Sequence, residues 1–158
     1  MQAGERFPDA TLGDDAGGEV RVRTVLEGGP AVFYFYPKDS TPGCTREAHD
    51  FQRHLEEFRG AGVRVFGVSA DGPDSHRAFS SDCGLGFPLL VDAGGALGQP
   101  LGIWNAERGR HSRSTYLVDS AGLVRRVWPS VQVDGHAAEV LAAARDAFPP
   151  AAGPGAGR

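Results

Sequence analysis

Apolar positions change period several times along the chain, and the changes mark its elements. The first clear signal is AVFYFY at 31–36, an uninterrupted aromatic and β-branched run closed by Pro37. Such a run predicts a strand covered on both faces and therefore central in a sheet. VRVFGVSA at 63–70 has the same character. Between the two, Ala48, Phe51, Leu55 and Phe58 repeat at helical spacing and Gly60 and Gly62 supply a stop, so one helix is predicted over residues 43–62. Strand, helix and strand in this order read as a βαβ unit with parallel strands.

The alternation continues more weakly. Pro73 suits a first helical turn and opens a predicted helix that reaches Cys83, and FPLLVD at 87–92 reads as a short strand. A glycine-rich turn and a short helix near 95–103 follow. TYLVDSAGLVRRVW at 115–128 reads as two strands about a turn at 119–122, and residues 135–148 as a closing helix whose stripe is Val140, Leu141, Ala144 and Phe148. This order fits an α/β, thioredoxin-like fold: a central mixed β-sheet flanked by helices, with an N-terminal extension over residues 7–25. Periodicity alone also permits other α/β sandwiches. No repeat or linker divides the chain, so one domain is expected over residues 1–148, followed by a Pro/Gly/Ala-rich tail at 149–158 that reads as disordered.

Composition narrows the function more than the fold. The 158 residues suffice for one full core and not for two, and 41% apolar with 23% charged residues is the balance of a soluble globular protein. A net charge of −4 without a basic block offers nothing to a nucleic-acid backbone. The N-terminus carries no signal-like run and no apolar stretch has membrane-spanning length, so no membrane partner and a cytoplasmic location are expected. Two cysteines make no disulfide framework, and reduced thiols are expected.

One of those thiols is conspicuously placed. In YPKDSTPGCTREAHD at 36–50, Thr41 suits an N-cap, Pro42 the first helical position, and Gly43 clears space against the backbone. Cys44 then falls in the first turn, where unpaired N–H groups and the positive end of the helix dipole favour a thiolate. It lies about 40° from Ala48 around the helix, on the apolar stripe, so its sulfur points inward. Most free cysteines are simply small buried hydrophobes, and position alone does not separate that case from a nucleophile. A thioredoxin-type exchange site needs Cys-x-x-Cys. The matching tetrapeptide here is TPGC at 41–44, a hydroxyl in place of the first sulfur. Such a thiol can attack an electrophile, and with a hydroxyl nearby to hold an oxygen the natural electrophile is a peroxide.

The run VFYFYPKDSTPGCTREAHDF at 32–51 resembles the peroxiredoxin signature Pro-x-x-x-Thr-x-x-Cys. More narrowly it resembles the Q-type, or bacterioferritin comigratory protein, subfamily. GERFPDATLGDDAGGEVRV at the start resembles that subfamily's first hairpin, and RVFGVSADGPDSHRAF, FPLLVD, GIW and SRSTYLVDSAG match in order. The resemblance implies a thiol-specific peroxidase for hydrogen peroxide and organic hydroperoxides, recycled by a thioredoxin-like or low-molecular-weight thiol reductant. Monomers are common in the subfamily, and a monomer is the corresponding expectation. Carried over, Pro37 shields the site, Thr41 positions the peroxide oxygen, Cys44 is the peroxidatic nucleophile that becomes a sulfenic acid, and Arg113 stabilises the thiolate and contacts the peroxide. Glu47 matches a family position one turn beyond the thiol and is a possible network residue. Trp104 and Tyr36 are assigned to packing. No cofactor is implied, and with the histidines scattered at 49, 54, 76, 111 and 136 no metal site is predicted.

The resemblance breaks at the resolving cysteine. Many Q-type members carry it five residues after the first, where this chain has His49, which reads as solvent-facing. Others place it in the next helix. Cys83 lies in that segment, about one turn (roughly 5 Å) later than usual. Two expectations follow: Cys83 resolves Cys44 after both helices unwind locally, or Cys83 is structural and an external thiol attacks the sulfenic acid. The first is preferred. A non-enzymatic redox sensor or chaperone using the same cysteine, and a purely structural module, are the competing functions.

Overall fold

The computed structural model describes residues 1–149. The predicted tail therefore lies outside the described residues, Pro149 apart. A seven-stranded mixed sheet forms the centre: β1 (Thr11–Asp14), β2 (Glu19–Arg21), β3 (Ala31–Phe35), β4 (Arg64–Ser69), β5 (Leu89–Val91), β8 (Ser114–Val118) and β9 (Val124–Trp128), in the order β2-β1-β5-β4-β3-β8-β9. β3, β4 and β5 run parallel, and the remaining neighbours are antiparallel. β6 (Trp104–Asn105) and β7 (Arg110–His111) make a separate small hairpin that the apolar pattern did not reveal. The thioredoxin-like arrangement is the one expected.

β3 is central, and every one of its residues is buried. Its side chains alternate between two cores. Val32, Tyr34 and Tyr36 face one core with Cys44, Ala48 and Phe51 of α2 (Pro42–Arg53) and Val140, Leu141 and Ala144 of α6 (His136–Ala147). Ala31, Phe33 and Phe35 face the other, built with Phe7, Leu12, Leu26, Leu97 and Tyr116. Burial of each Val, Leu or Phe among these contributes about 1.5–3 kcal/mol, so both faces anchor β3, and its C-terminal end is a rigid place from which to launch a helix.

Three elements differ from expectation. The helix predicted over 43–62 is two, α2 and α3 (Leu55–Gly60), broken at His54 with φ −99° and ψ 5°. Leu55 and Phe58 are buried beyond the break, so the apolar repeat runs through it and periodicity cannot reveal it. The N-terminal extension is a hairpin as expected, but it continues into α1 (Val22–Glu27), which buries Val22 and Leu26 and has the Arg23 N–H held by Asp9 at 3.0 Å. The short helix near 95–103 is a 3₁₀ turn at Ala93–Gly95 followed by the four-residue α5, Gly98–Leu101. α4 spans Pro73–Cys83, as predicted, and closes on Gly84 in the left-handed conformation at φ 62°.

Candidate active site

The β3–α2 connection builds the site. Tyr36 still pairs with the sheet, donating its N–H to the Val68 carbonyl at 3.0 Å. The chain then turns through residues 37–41, with Ser40 at φ 65°, the one non-glycine residue with positive φ among those described. Thr41 takes the N-cap position with extended backbone and Pro42 the first helical one. The Thr41 hydroxyl departs from expectation: it caps nothing, and instead donates to the Lys38 carbonyl at 2.9 Å. Its oxygen lone pairs are thereby left to accept from another group.

Cys44 sits in the first turn of α2, 1% exposed, at the positive end of the helix dipole. Arg113 reaches it from across the sheet. The β3–β8 register pairs Phe35 with Ser114, which puts Arg113 level with the point where the chain leaves β3. Its Nη2 donates to Cys44 Sγ at 3.3 Å and its Nη1 to Glu47 Oε1 at 2.6 Å. One planar guanidinium thus spans a thiol and a carboxylate one turn apart on α2. A Cβ on Gly43 would stand 3.2 Å from Nη2, so the glycine is what lets the arginine come close. Pro37, Thr41, Gly43 and Arg113 are each half-buried, Arg113 alone of them being hydrogen-bonded to Cys44, and His49 is exposed as expected.

Glu47 is 1% exposed, and its Oε2 has no hydrogen-bond partner among the described residues. Burial pushes its carboxyl up to about 7, with the Arg113 charge and hydrogen bond opposing. Burial pulls Arg113 down, but Glu47 and Cys44 outweigh it and raise its pKa. His136, at the start of α6, meets the Thr115 hydroxyl at 2.8 Å, and burial drives its pKa down to about 4, Glu139 opposing and Arg113 reinforcing. No helix among the described residues is long and apolar enough to cross a membrane.

Cys83 is the last residue of α4, half-buried against the same core as Cys44. Burial, Asp82 and Asp39 together raise its thiol pKa. Both cysteines are free.

Sequence reasoning missed a buried polar cluster behind the 37–41 turn. Tyr36, assigned to packing, donates its hydroxyl to Asp39 Oδ1 at 2.6 Å; Ser75 and His76 of α4 reach Asp39 Oδ2 at 2.8 and 2.7 Å. Asp39, Asp71 and His76 form the one group of three metal-ligand-type side chains found among the described residues. Hydrogen bonds inside the cluster already occupy those atoms. The readable signal was His76 three residues before Phe79 on the buried face of α4. Trp104, by contrast, does pack, edge-on against His111.

This thioredoxin-like fold lacks a Cys-x-x-Cys pair and keeps one thiol beneath an arginine at a helix start. The chain belongs to the AhpC/TSA family, which it matches over residues 3–127. It is 36% identical to Peroxiredoxin Bcp of Bacillus subtilis over 152 residues, covering 92% of this chain and 96% of that protein. The crystal structure of peroxidoxin BcpB from Mycobacterium tuberculosis superposes with a TM-score of 0.88 at 32% identity, covering 92% of this chain and 97% of that one. The bacterioferritin comigratory protein of Xanthomonas campestris, solved in a study of alkyl peroxide reduction, gives 0.83 at 36% identity, with 94% and 97% covered. The chain is an enzyme of the peroxiredoxin type, a thiol peroxidase that acts on hydroperoxides with a thiol reductant, and these relatives do not favour a non-enzymatic sensor.

Proposed function

We propose that Cys44 is the peroxidatic nucleophile and that Thr41, Arg113 and Pro37 complete its site. The Cys44 thiolate attacks the terminal oxygen of a hydroperoxide in line with the O–O bond. An S–O bond forms, the O–O bond breaks, and the products are a sulfenic acid and an alkoxide or hydroxide that takes up a proton. Arg113 faces the sulfur and supplies the positive charge that developing oxyanions require. Thr41, with its proton committed to Lys38, offers lone pairs to the peroxide O–H. Glu47 positions Arg113 by taking its other nitrogen. The observation that carries this reading is the single guanidinium shared between Cys44 and Glu47.

For resolution, Cys83 attacks the Cys44 sulfenic acid, releasing water and forming a disulfide that an external dithiol of thioredoxin type reduces. Its place at the last position of α4, beside a left-handed glycine, supports this, because helix ends open at low cost. Hydrogen peroxide and organic hydroperoxides are the substrates, the enzyme acts as a monomer in the cytoplasm, and residues 1–148 work as one domain. Non-reducing peptide mapping after one equivalent of peroxide tests the cycle. A linked Cys44–Cys83 peptide pair is expected; a persistent sulfenic acid, or sulfinic acid at Cys44 with Cys83 still free, would overturn the two-cysteine cycle.

A further inference from the structure

The Lys38–Asp39 peptide unit faces two ways, and both ends are engaged. Its N–H donates to Asp71 Oδ2 at 2.8 Å, and its C=O accepts the Thr41 hydroxyl at 2.9 Å. A trans peptide is planar, so its N–H and C=O point in opposite directions. Fixing the N–H therefore fixes where the carbonyl points and which way the Thr41 proton is drawn. Asp71 is itself held by the Ser69 hydroxyl at 2.6 Å. The Asp39 side chain is gripped from three sides by Tyr36, Ser75 and His76.

His76 is fully buried, and its second nitrogen meets the Leu90 carbonyl at 2.8 Å. A carbonyl only accepts, so that nitrogen carries a proton, and Asp39, which already accepts from Tyr36 and Ser75, is placed to accept from the other. Burial opposes the charge on both partners, yet the hydrogen bonds and charges within the cluster prevail, lowering the pKa of Asp39 and raising that of His76. This is a charge-assisted pair linking the loop before Cys44 to helix α4, and it braces a turn whose Ser40 sits at a positive φ that a non-glycine residue adopts at a cost.

We propose that Asp71 and His76 are positioning residues of the peroxide step. They hold the Lys38–Asp39 peptide, Asp71 directly and His76 through the Asp39 side chain. The Lys38 carbonyl then takes the Thr41 proton, and the Thr41 oxygen stays an acceptor toward the peroxide. The inference rests on the assignment of Cys44 and Thr41 above. Neither residue touches the substrate; each acts through that peptide.

The test compares two electrophiles at Cys44: hydrogen peroxide, which uses the Thr41 hydroxyl, and iodoacetamide, which does not. Rate constants come from competition for limiting peroxide and from mass spectrometry of the Cys44 peptide. Asp71→Ala, at a half-buried loop position, and His76→Gln are each expected to slow the peroxide reaction about tenfold or more, because small displacements of a positioning group have effects of that order. The iodoacetamide rate is expected to stay within about twofold, since thiol reactivity itself is untouched. In a Thr41→Val background, Asp71→Ala should have almost no further effect, because the two changes act through one group. An equal loss toward both electrophiles, or a full additional loss in the Thr41→Val background, would overturn the proposal. If His76→Gln fails to fold, Asp71→Ala decides alone. A wild-type enzyme that shows no preference for peroxide over iodoacetamide would instead overturn the assignment of the site, and the positioning role with it.

Discussion

Cys44 and Cys83 pack against the same core, yet they occupy opposite ends of their helices. Cys44 meets the positive end of α2 and a guanidinium at 3.3 Å. Cys83 meets the negative end of α4, with Asp82 and Asp39 adding to the effect of burial on its thiol. Burial makes both sulfurs look like ordinary core atoms. Helix polarity and the sign of the nearest charge separate them, and on that difference rests the proposal that Cys44 attacks and Cys83 acts later.

Exchanging each sulfur for oxygen breaks the comparison most severely. Cys44→Ser is expected to lose peroxide reduction by at least about a thousandfold, the scale of deleting a nucleophile. Cys83→Ser should still form the sulfenic acid and lose only its fast removal, so that sulfinic acid accumulates under repeated peroxide; mass spectrometry of the two peptides reads both outcomes. Next comes the charge that distinguishes the two environments. Arg113→Ala should lower the rate constant with hydrogen peroxide by about 10²–10³-fold, as for removal of one preorganised oxyanion donor. Arg113→Lys should recover only part of this, because a single ammonium cannot span Sγ and Glu47 as the planar fork does.

Glu47 sharpens the comparison through pH. Its carboxyl is raised from 4.5 to about 7 in the folded protein, so the folded state holds a proton that the unfolded chain has released across that window. Stability attributable to Glu47 therefore falls as pH rises from about 4.5 to about 7, by no more than about 3 kcal/mol. Glu47→Gln should remove the decline, becoming more stable relative to wild type as pH rises; urea midpoints at about pH 5 and about pH 7.5 check it. His136 works in the opposite sense. Its pKa falls from 6.5 to about 4, so its contribution is present above 6.5 and is lost as pH drops toward 4. The wild-type profile sums the two, and only the variants separate them. The smallest effect is expected from Gly43→Ala. Its new Cβ would press on the Arg113 Nη2 from 3.2 Å, and a flexible guanidinium can yield a little, so a loss of about two- to fivefold in the peroxide rate is expected.

How much of this was legible depended on distance along the chain. The start of α4 could be read because Pro73 suits a first turn, and the helix does end at Cys83, where the structure shows Gly84 closing it in the left-handed conformation. The inward aim of Cys44 followed from its angle to Ala48, and both are buried. The break at His54 could not be read, since Leu55 and Phe58 keep the apolar period across it. Arg113 carries no local signal at all; 69 residues separate it from Cys44, and only the family resemblance pointed to it. Asp39 and His76 lie 37 residues apart in two separately matched segments, and nothing in either segment says that they meet, so the polar cluster behind the loop came from the fold alone. Thr41 was placed correctly as an N-cap by position, but its hydroxyl turns back to the Lys38 carbonyl, which no single-residue preference reveals.

The most direct test of the division between the two cysteines is to trap the sulfenic acid chemically. Protein carrying Cys83→Ser would be treated with one equivalent of hydrogen peroxide in the presence of dimedone and mapped by mass spectrometry. The structure predicts a stoichiometric dimedone adduct on the Cys44 peptide. Peroxide left unconsumed, with Cys44 recovered as the free thiol, would contradict it.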